Sequence, residues 1–417
     1  MVLPNIETSA IIRTVRLELS RLSRLWGDKE VGDVDFEFSA AQQKWYDSAV
    51  AFAREQLVDP DADGREERAE FWREGYERCA KFGAAGLPIP REHGGQGETI
   101  ETTVAAMEGL GYGCPDTGLL FSLNASLWTI TMPILVFGDE EQKKRYLPPL
   151  CDGRFFGANG ASEPEAGSDI FSMKTTAERK GDRWVLNGRK VWITGGPVAD
   201  LYLCFASTDP SKGVLGVTAF LIEKDTPGFR VVREIPKLGM RTAPMGELVF
   251  ENCELPPESL LGREGRGSRI FNAALEWERG TILASIVGTM RRQLDRCVQR
   301  ARSRKQFGQS IGKFQSVSNR IVDMMTRYET SRLLVHRYAW LKTNGKDKEA
   351  AIAASMAKLH VSESFAQNSL DAVRIFGAAG YTIAEGLERD VRDSVGGVLF
   401  SGTNDIQRNI IAQNLRL

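Results

Sequence analysis

The feature that most limits what this chain can fold into is a double change of hydrophobic period. From Ser39 to about Cys151 apolar residues recur every three to four positions, as on a helix face. From about 155 to 260 short β-branched and aromatic runs stand between Gly, Pro and Asp, and from Arg266 onward helical spacing returns. The order α, β, α predicts an α+β multidomain chain with an N-terminal α-helical domain over 1–154 and a middle antiparallel β domain over 155–265. A C-terminal four-helix bundle is expected over 266–417, with helices at about 267–299, 315–343 and 347–375 and a short one after Thr403. No strand–GxGxxG–helix unit occurs, so a bound dinucleotide would not sit on a Rossmann crossover.

Local signals sharpen this outline. Ser39-Ala-Ala-Gln42 reads as a capping box opening a helix through Leu57, and a helix over about 68–82 ends at Gly83. The stretch Leu119–Phe137 is apolar and expected to be buried, and Asp139 caps a short helix that stops at Pro148-Pro149. Trp184–Trp192 reads as two strands joined by Asn187-Gly188, the usual short hairpin signal. Residues 11–26 form a basic amphipathic pattern suited to docking on the protein itself or a partner subunit, to a membrane surface, or to a transit peptide, although the segment is not rich in Ser and has no recognisable cleavage site.

Composition narrows the function. Lys+Arg 54 against Asp+Glu 55 argues against a nucleic-acid partner held by bulk positive charge. The six cysteines include no CxxC pair and read as reduced thiols of an intracellular, cytoplasmic protein; a mitochondrial address is the alternative. His93, His336 and His360 have no metal-ligand spacing, so no metal is expected. No apolar run approaches the roughly 18 residues of a transmembrane segment.

One carboxylate breaks the pattern. Phe271, Ala274, Leu275, Ile282 and Ile286 form a stripe along the helix expected over 267–299, and Glu278 lies within it, while Glu276 points away. Burial disfavours an ionised carboxylate, so Glu278 is either satisfied by a nearby Arg or hydroxyl, or used.

Four stretches then stand out: Gly157–Asp169 with Ser162 and Ser168; Val191-Trp192-Ile-Thr194-Gly195-Gly196; Arg304-Lys-Gln306-Phe307-Gly308 with Phe314-Gln315; and Arg374–Tyr381 running on to Ser401-Gly402-Thr403-Asn-Asp405. In this order and spacing they resemble the acyl-CoA dehydrogenase family of flavoproteins, over about Phe38 to the C-terminus. The resemblance implies that fold, an FAD cofactor, and removal of two hydrogens from the carbons beside an acyl thioester. It assigns the flavin ring to Ser162, Trp192 and Thr194. It assigns the rest of the cofactor to Arg304, Gln306, Phe307, Phe314, Gln315, Arg374, Gly377, Thr403 and Asp405, partly across a subunit interface, which implies a homotetramer built as a dimer of dimers. Ser168 and Arg279 match substrate-arm positions.

Two departures matter. Arg374 stands where Gln is usual, and its guanidinium still suits a pyrophosphate. Ser401 occupies the position at which many members carry the catalytic Glu. Members similar to the isovaleryl- and long-chain-type enzymes place that Glu before an Arg on the bundle helix, as Glu278-Arg279 does here. Glu278 is therefore the expected base, and the Ser401 N–H the expected donor to the thioester oxygen, beside a flavin ribityl hydroxyl. The thioester is expected on coenzyme A or on a carrier protein; Ser401–Gln407 together with Glu278 resembles members that oxidise carrier-bound aminoacyl groups. Reoxidation is expected from an electron-transfer flavoprotein or oxygen. A flavin oxidase or monooxygenase on the same fold is the competing reading, disfavoured by Glu278, and a non-catalytic assembly protein is a second, disfavoured by the intact flavin positions.

Overall fold

The structure is a computed structural model that describes residues 36–417. The amphipathic stretch at 11–26 lies outside the described residues. Ala40–Leu417 forms one compact unit. Its N-terminal helices are α1 (Ala40–Gln56), α2 (Ala62–Arg68), α3 (Arg73–Phe82), α4 (Ile100–Gly113), α5 (Thr117–Phe137) and α6 (Glu140–Cys151). The expected helix over 68–82 is shorter, because Ala69 takes a left-handed φ of 56° that closes α2, while Gly83 at φ 101° ends α3. Asp139 caps α6 as anticipated, and the cap is a reciprocal box with Gln142. The helix does not stop at Pro148-Pro149 but runs to Cys151, since the Pro148 carbonyl still receives Asp152 N–H at 3.0 Å. At 21 residues α5 is long and apolar enough to cross a membrane, contrary to the sequence expectation, and most of it is buried inside the protein.

The middle part is an eight-stranded sheet: β1 (Gly157–Gly160), β2 (Thr176–Lys180), β3 (Arg183–Thr194), β4 (Leu201–Ser207), β5 (Val217–Glu223), β6 (Phe229–Glu234), β7 (Met245–Leu255) and β8 (Leu260–Leu261). The order is β6-β7-β3-β2-β4-β5-β8, with β1 beside β4. It is not wholly antiparallel: β1 runs parallel to β4, and β2 meets β4 in parallel at Thr176–Ser207. Nor does Asn187-Gly188 turn the chain. The hairpin turn is Gly181-Asp182, with Lys180 paired to Arg183, and Asn187-Gly188 is a bulge inside one continuous β3. Gly is needed there because a Cβ at 188 would lie 2.4 Å from Thr175 Oγ1.

The C-terminal part holds α7 (Gly267–Thr281), α8 (Ala284–Ser303), α9 (Gln315–Thr343), α10 (Asp347–Phe376), α11 (Leu387–Gly396) and α12 (Asn404–Asn414), with a small hairpin of β9 (Lys305–Gln306) and β10 (Gln309–Ser310). The helix expected over 267–299 is two. Leu283, at ψ 7°, leaves helical geometry, and Thr281 Oγ1 bonds back to Trp277 O at 2.6 Å, a contact that bends helices. The apolar stripe continues across the break, so periodicity alone does not reveal it.

Buried α4 packs between α1 and α8. A Cβ on Gly111 would stand 1.7 Å from Ser285 O, and one on Gly288 2.0 Å from Glu108 O. The two helices therefore cross in backbone contact. Helix propensity alone would make Gly288→Ala stabilising by about 1 kcal/mol. The crossing reverses the sign, and Gly288→Ala is expected to lower the unfolding free energy by about 1–3 kcal/mol. A urea midpoint unchanged or raised in that variant would contradict this packing.

Candidate active site

Glu278 projects from α7, which is anchored to the sheet by Phe271 against Phe205 of β4, ring centroids 5.4 Å apart at 85°. The residue is 9% exposed. Burial pushes its carboxyl up to about 7, while the Ser401 hydroxyl, Arg279 and Lys358 pull it back. Glu276 turns instead to Lys342 on α9 at 3.0 Å.

Opposite lies a tight turn before α12. Ser401 at φ 57° and Gly402 at φ 83° are both left-handed. Arg279 Nε donates to Ser401 O at 3.0 Å, and Gln407 Nε2 donates to the carbonyls of Ser401 (3.1 Å) and Gly402 (2.8 Å). Among the described residues the Ser401 N–H donates to no protein group. Thr403 caps α12 by accepting from Ile406 N–H. Lys358, on α10, is fully buried and donates to Asn404 Oδ1 at 2.7 Å. Burial holds its ammonium down to about 8, with Glu278 opposing that shift.

A second group gathers on the sheet. The β3 register shifts between Lys190 and Ile193, which turns Trp192 outward at φ 59° with half its surface exposed. Ser162 is pinned to β3 by its carbonyl, which accepts Val191 N–H at 2.9 Å. Among the described residues the half-buried Ser162 and Thr194 hydroxyls bond to no protein group. An open indole flanked by free hydroxyls fits a flat heteroaromatic ring with hydrogen-bonding edges, such as the isoalloxazine of FAD. Next in the chain to Ser162 is a buried ion pair, Glu163 with Lys190 Nζ at 2.8 Å. Burial alone would raise Glu163, but Lys190 and the Lys174 and Thr175 N–H groups hold it below the usual carboxylate range.

The remaining expected residues form separate groups. Arg304, Gln306 and Phe307 lie on the β9–β10 hairpin, where Phe307 at φ 51° and Gly308 at φ 75° make the turn. Phe307 is 94% exposed, its ring 6.1 Å from Phe314, which precedes Gln315 at the start of α9. Arg374 bonds Asp371 at 3.2 Å, and Gly377 ends α10 at φ 65°. Asp405 is exposed and meets Arg408 at 3.3 Å. Ser168 is exposed in the loop before β2. Thus Glu278, Arg279, Ser401 and Thr403 belong to one knot, and Ser162, Trp192 and Thr194 to another. Trp192, Phe307 and Ser401 are three of the seven non-glycine residues at positive φ among the described residues, a strain that persists only where its surroundings enforce it.

Sequence reasoning missed Lys358, Asn404, Gln407, Glu163 and Lys190. Lys358 had the same signal as Glu278: it interrupts the stripe Ala350, Ala353, Ala354, Ala357, Val361.

Three family models, described as the N-terminal, middle and C-terminal domains of acyl-CoA dehydrogenase, match residues 39–154, 158–253 and 265–416. The chain is 42% identical over 384 residues to an L-prolyl-[peptidyl-carrier protein] dehydrogenase of a Serratia species, spanning 92% of this chain and 99% of that one. Among solved structures, the prolyl acyl carrier protein oxidase AnaB is 47% identical, covers 91% of this chain and all of its own, and superposes with a TM-score of 0.89. The protein PigA with FAD and proline is 41% identical, with 92% of this chain and 100% of its own covered and the same TM-score.

The Glu163–Lys190 pair gives a direct test of how the indole and Ser162 are held. Lys190→Met leaves a buried carboxylate uncompensated and is expected to lower the unfolding free energy by about 3–5 kcal/mol. Glu163→Gln combined with Lys190→Met should recover most of it in the same denaturation measurement. A single variant as stable as the parent would show that the pair is not what secures this loop.

Proposed function

The chain belongs to the acyl-CoA dehydrogenase family, and within it we propose that the substrate is a prolyl group carried as a thioester on a carrier protein. It is an FAD-dependent oxidoreductase acting on acyl thioesters. Support for the prolyl carrier comes from the relatives at 41–47% identity described above. The observation that carries the mechanism is a buried, near-neutral carboxyl at Glu278 facing a backbone turn whose Ser401 N–H is free.

Glu278 removes the proton from the carbon beside the thioester carbonyl. A carboxyl raised toward neutrality is a better proton acceptor than an exposed one and still ionises at neutral pH. As the proton leaves, charge develops on the thioester oxygen. The Ser401 N–H meets that charge, and its direction is fixed by Arg279 and Gln407 on the carbonyls of the same turn. FAD, when bound, would supply the acceptor for the second hydrogen, which leaves the adjacent carbon as hydride. Ser162 and Thr194 would hydrogen-bond the edge of the flavin and Trp192 would cover it. Arg304, Gln306, Phe307, Phe314, Gln315, Arg374, Gly377, Thr403 and Asp405 would hold the remainder from a second subunit or their own, in a homotetramer; the solvent-facing Phe307 supports this. Ser168 meets the substrate's pantetheine arm. Six unpaired, buried thiols support a cytoplasmic setting. The electron acceptor is oxygen or an electron-transfer flavoprotein.

Anaerobic loss of flavin absorbance with prolyl-carrier thioester, compared with prolyl-CoA and short acyl-CoA thioesters, tests the substrate. Rapid bleaching by the carrier form alone is expected, and bleaching only by acyl-CoA would overturn the carrier reading. Glu278→Gln should keep its yellow colour and lose about 10²–10⁴-fold in turnover.

Two pH effects follow from the carboxyl at about 7. Only the ionised base works, so kcat/KM should fall about tenfold per pH unit below neutrality and level off above it. Stability has the opposite sign. The folded state binds this proton more tightly than the unfolded chain, whose carboxyl sits near the ordinary 4.5. The contribution is intact below about 4.5 and lost as pH rises to about 7, on the order of 3 kcal/mol. Glu278→Gln should therefore unfold at higher urea than the parent at pH 8, and a lower midpoint would refute the burial argument.

A further inference from the structure

Glu278 and the Ser401 turn are brought together by one side chain that no step above employs. Lys358 lies on α10, which packs against α7, and is wholly buried. Its Nζ donates to Asn404 Oδ1 at 2.7 Å and lies 5.8 Å from the centre of the Phe400 ring. Asn404 is itself tied to both ends of the turn's surroundings: its N–H reaches Val398 O at 3.0 Å, and its Nδ2 donates to Ser362 Oγ (3.1 Å) and Glu363 Oε1 (3.3 Å). Residues 398–404 are thus closed into a loop that carries Phe400, Ser401 and Gly402, and the loop is fastened to α10 at Lys358.

A buried ammonium with one neutral acceptor is expensive unless a negative group lies near it. The acid that supplies the counter-charge is Glu278, with Glu363 a weaker second. Around Glu278 the facing cations are Arg279 on its own helix and Lys358 on α10; around Lys358 the charged groups are Glu278, Arg279 and Glu363. Arg279 is already bonded to the Ser401 carbonyl, which leaves Lys358 as the cation on the α10 side.

We propose that Lys358 is a positioning residue for the dehydrogenation: it holds the Ser401 turn through Asn404 and at the same time keeps a buried positive charge beside Glu278. Base strength and the direction of the donor to the thioester oxygen are then set together. The proposal rests on Glu278 being the base, and its test is chosen to be read without turnover.

In FAD-loaded protein labelled with ¹³C at glutamate side-chain carboxyls, the Glu278 resonance is identified by its loss in Glu278→Gln, and its midpoint is followed with pH. Lys358→Met should move that midpoint upward by roughly half a pH unit or more. Asn404→Ala keeps the charge and should leave the midpoint in place while slowing anaerobic flavin reduction by prolyl-carrier thioester about tenfold or more. A Glu278 midpoint unmoved in Lys358→Met, or Asn404→Ala reducing flavin at the parental rate, overturns the proposal. If Lys358→Met does not fold, the reciprocal shift decides. In Glu278→Gln the Lys358 ¹³Cε resonance should titrate at lower pH than in the parent, and an unchanged Lys358 midpoint refutes the coupling. Loss of turnover in Glu278→Gln, by contrast, tests the base assignment alone.

Discussion

A carboxyl group kept out of water is the constraint to which the rest of the site answers. An isolated ionised carboxylate buried on α7 would simply take up a proton. Here burial is opposed by Arg279, Lys358 and the Ser401 hydroxyl, so Glu278 sits near neutrality rather than far above it. The two cations are not free to do this alone. Each is fixed by a second bond, Arg279 to the Ser401 carbonyl and Lys358 to Asn404. The result is one polar knot joining α7, α10 and the turn before α12, in which the buried Glu278 carboxyl and the Ser401 backbone share their supports.

Similar buried ties bind the three parts of the chain. Glu108 of α4 reaches Tyr328, Arg332 and His336 on α9. Asp393 of α11 accepts from Thr117 at the start of α5 and from Met240 N–H after β6, and burial raises its carboxyl to about 7. Such groups are costly to bury unless every partner is present. They therefore specify how helices and sheet meet more sharply than apolar packing does. The backbone contact of Gly111 and Gly288 is the apolar counterpart, a crossing that admits no other side chain.

The second group keeps large apolar rings uncovered. Trp192 and Phe307 expose large rings, and both residues sit in left-handed backbone. Burying those rings against the protein would have been the ordinary outcome of folding. A bulge in β3 and a two-residue turn in the β9–β10 hairpin instead hold them outward, consistent with a flavin against the first and a shared interface at the second.

The α, β, α order, the place of most helices and the burial of Glu278 were legible in the amino-acid sequence, because periodicity reports which residues share a face. Glu278 on an apolar stripe and the run Ser401-Gly402-Thr403 needed no coordinates. What periodicity does not report is decided between elements. The break at Leu283 leaves the stripe intact, the helix across Pro148-Pro149 is kept by bonds to their carbonyls, and Asn187-Gly188 becomes a bulge because β7 pairs on both sides of it. The parallel pairing of β1 with β4 and the approach of Lys358 to Asn404 join residues 44 and 46 apart, and a local pattern carries no information at that range. Side-chain spacing along the chain thus picked out a carboxylate on a buried face, whereas the Lys358 charge that faces it and the turn that Lys358 holds were brought there by the packing of α10 on α7.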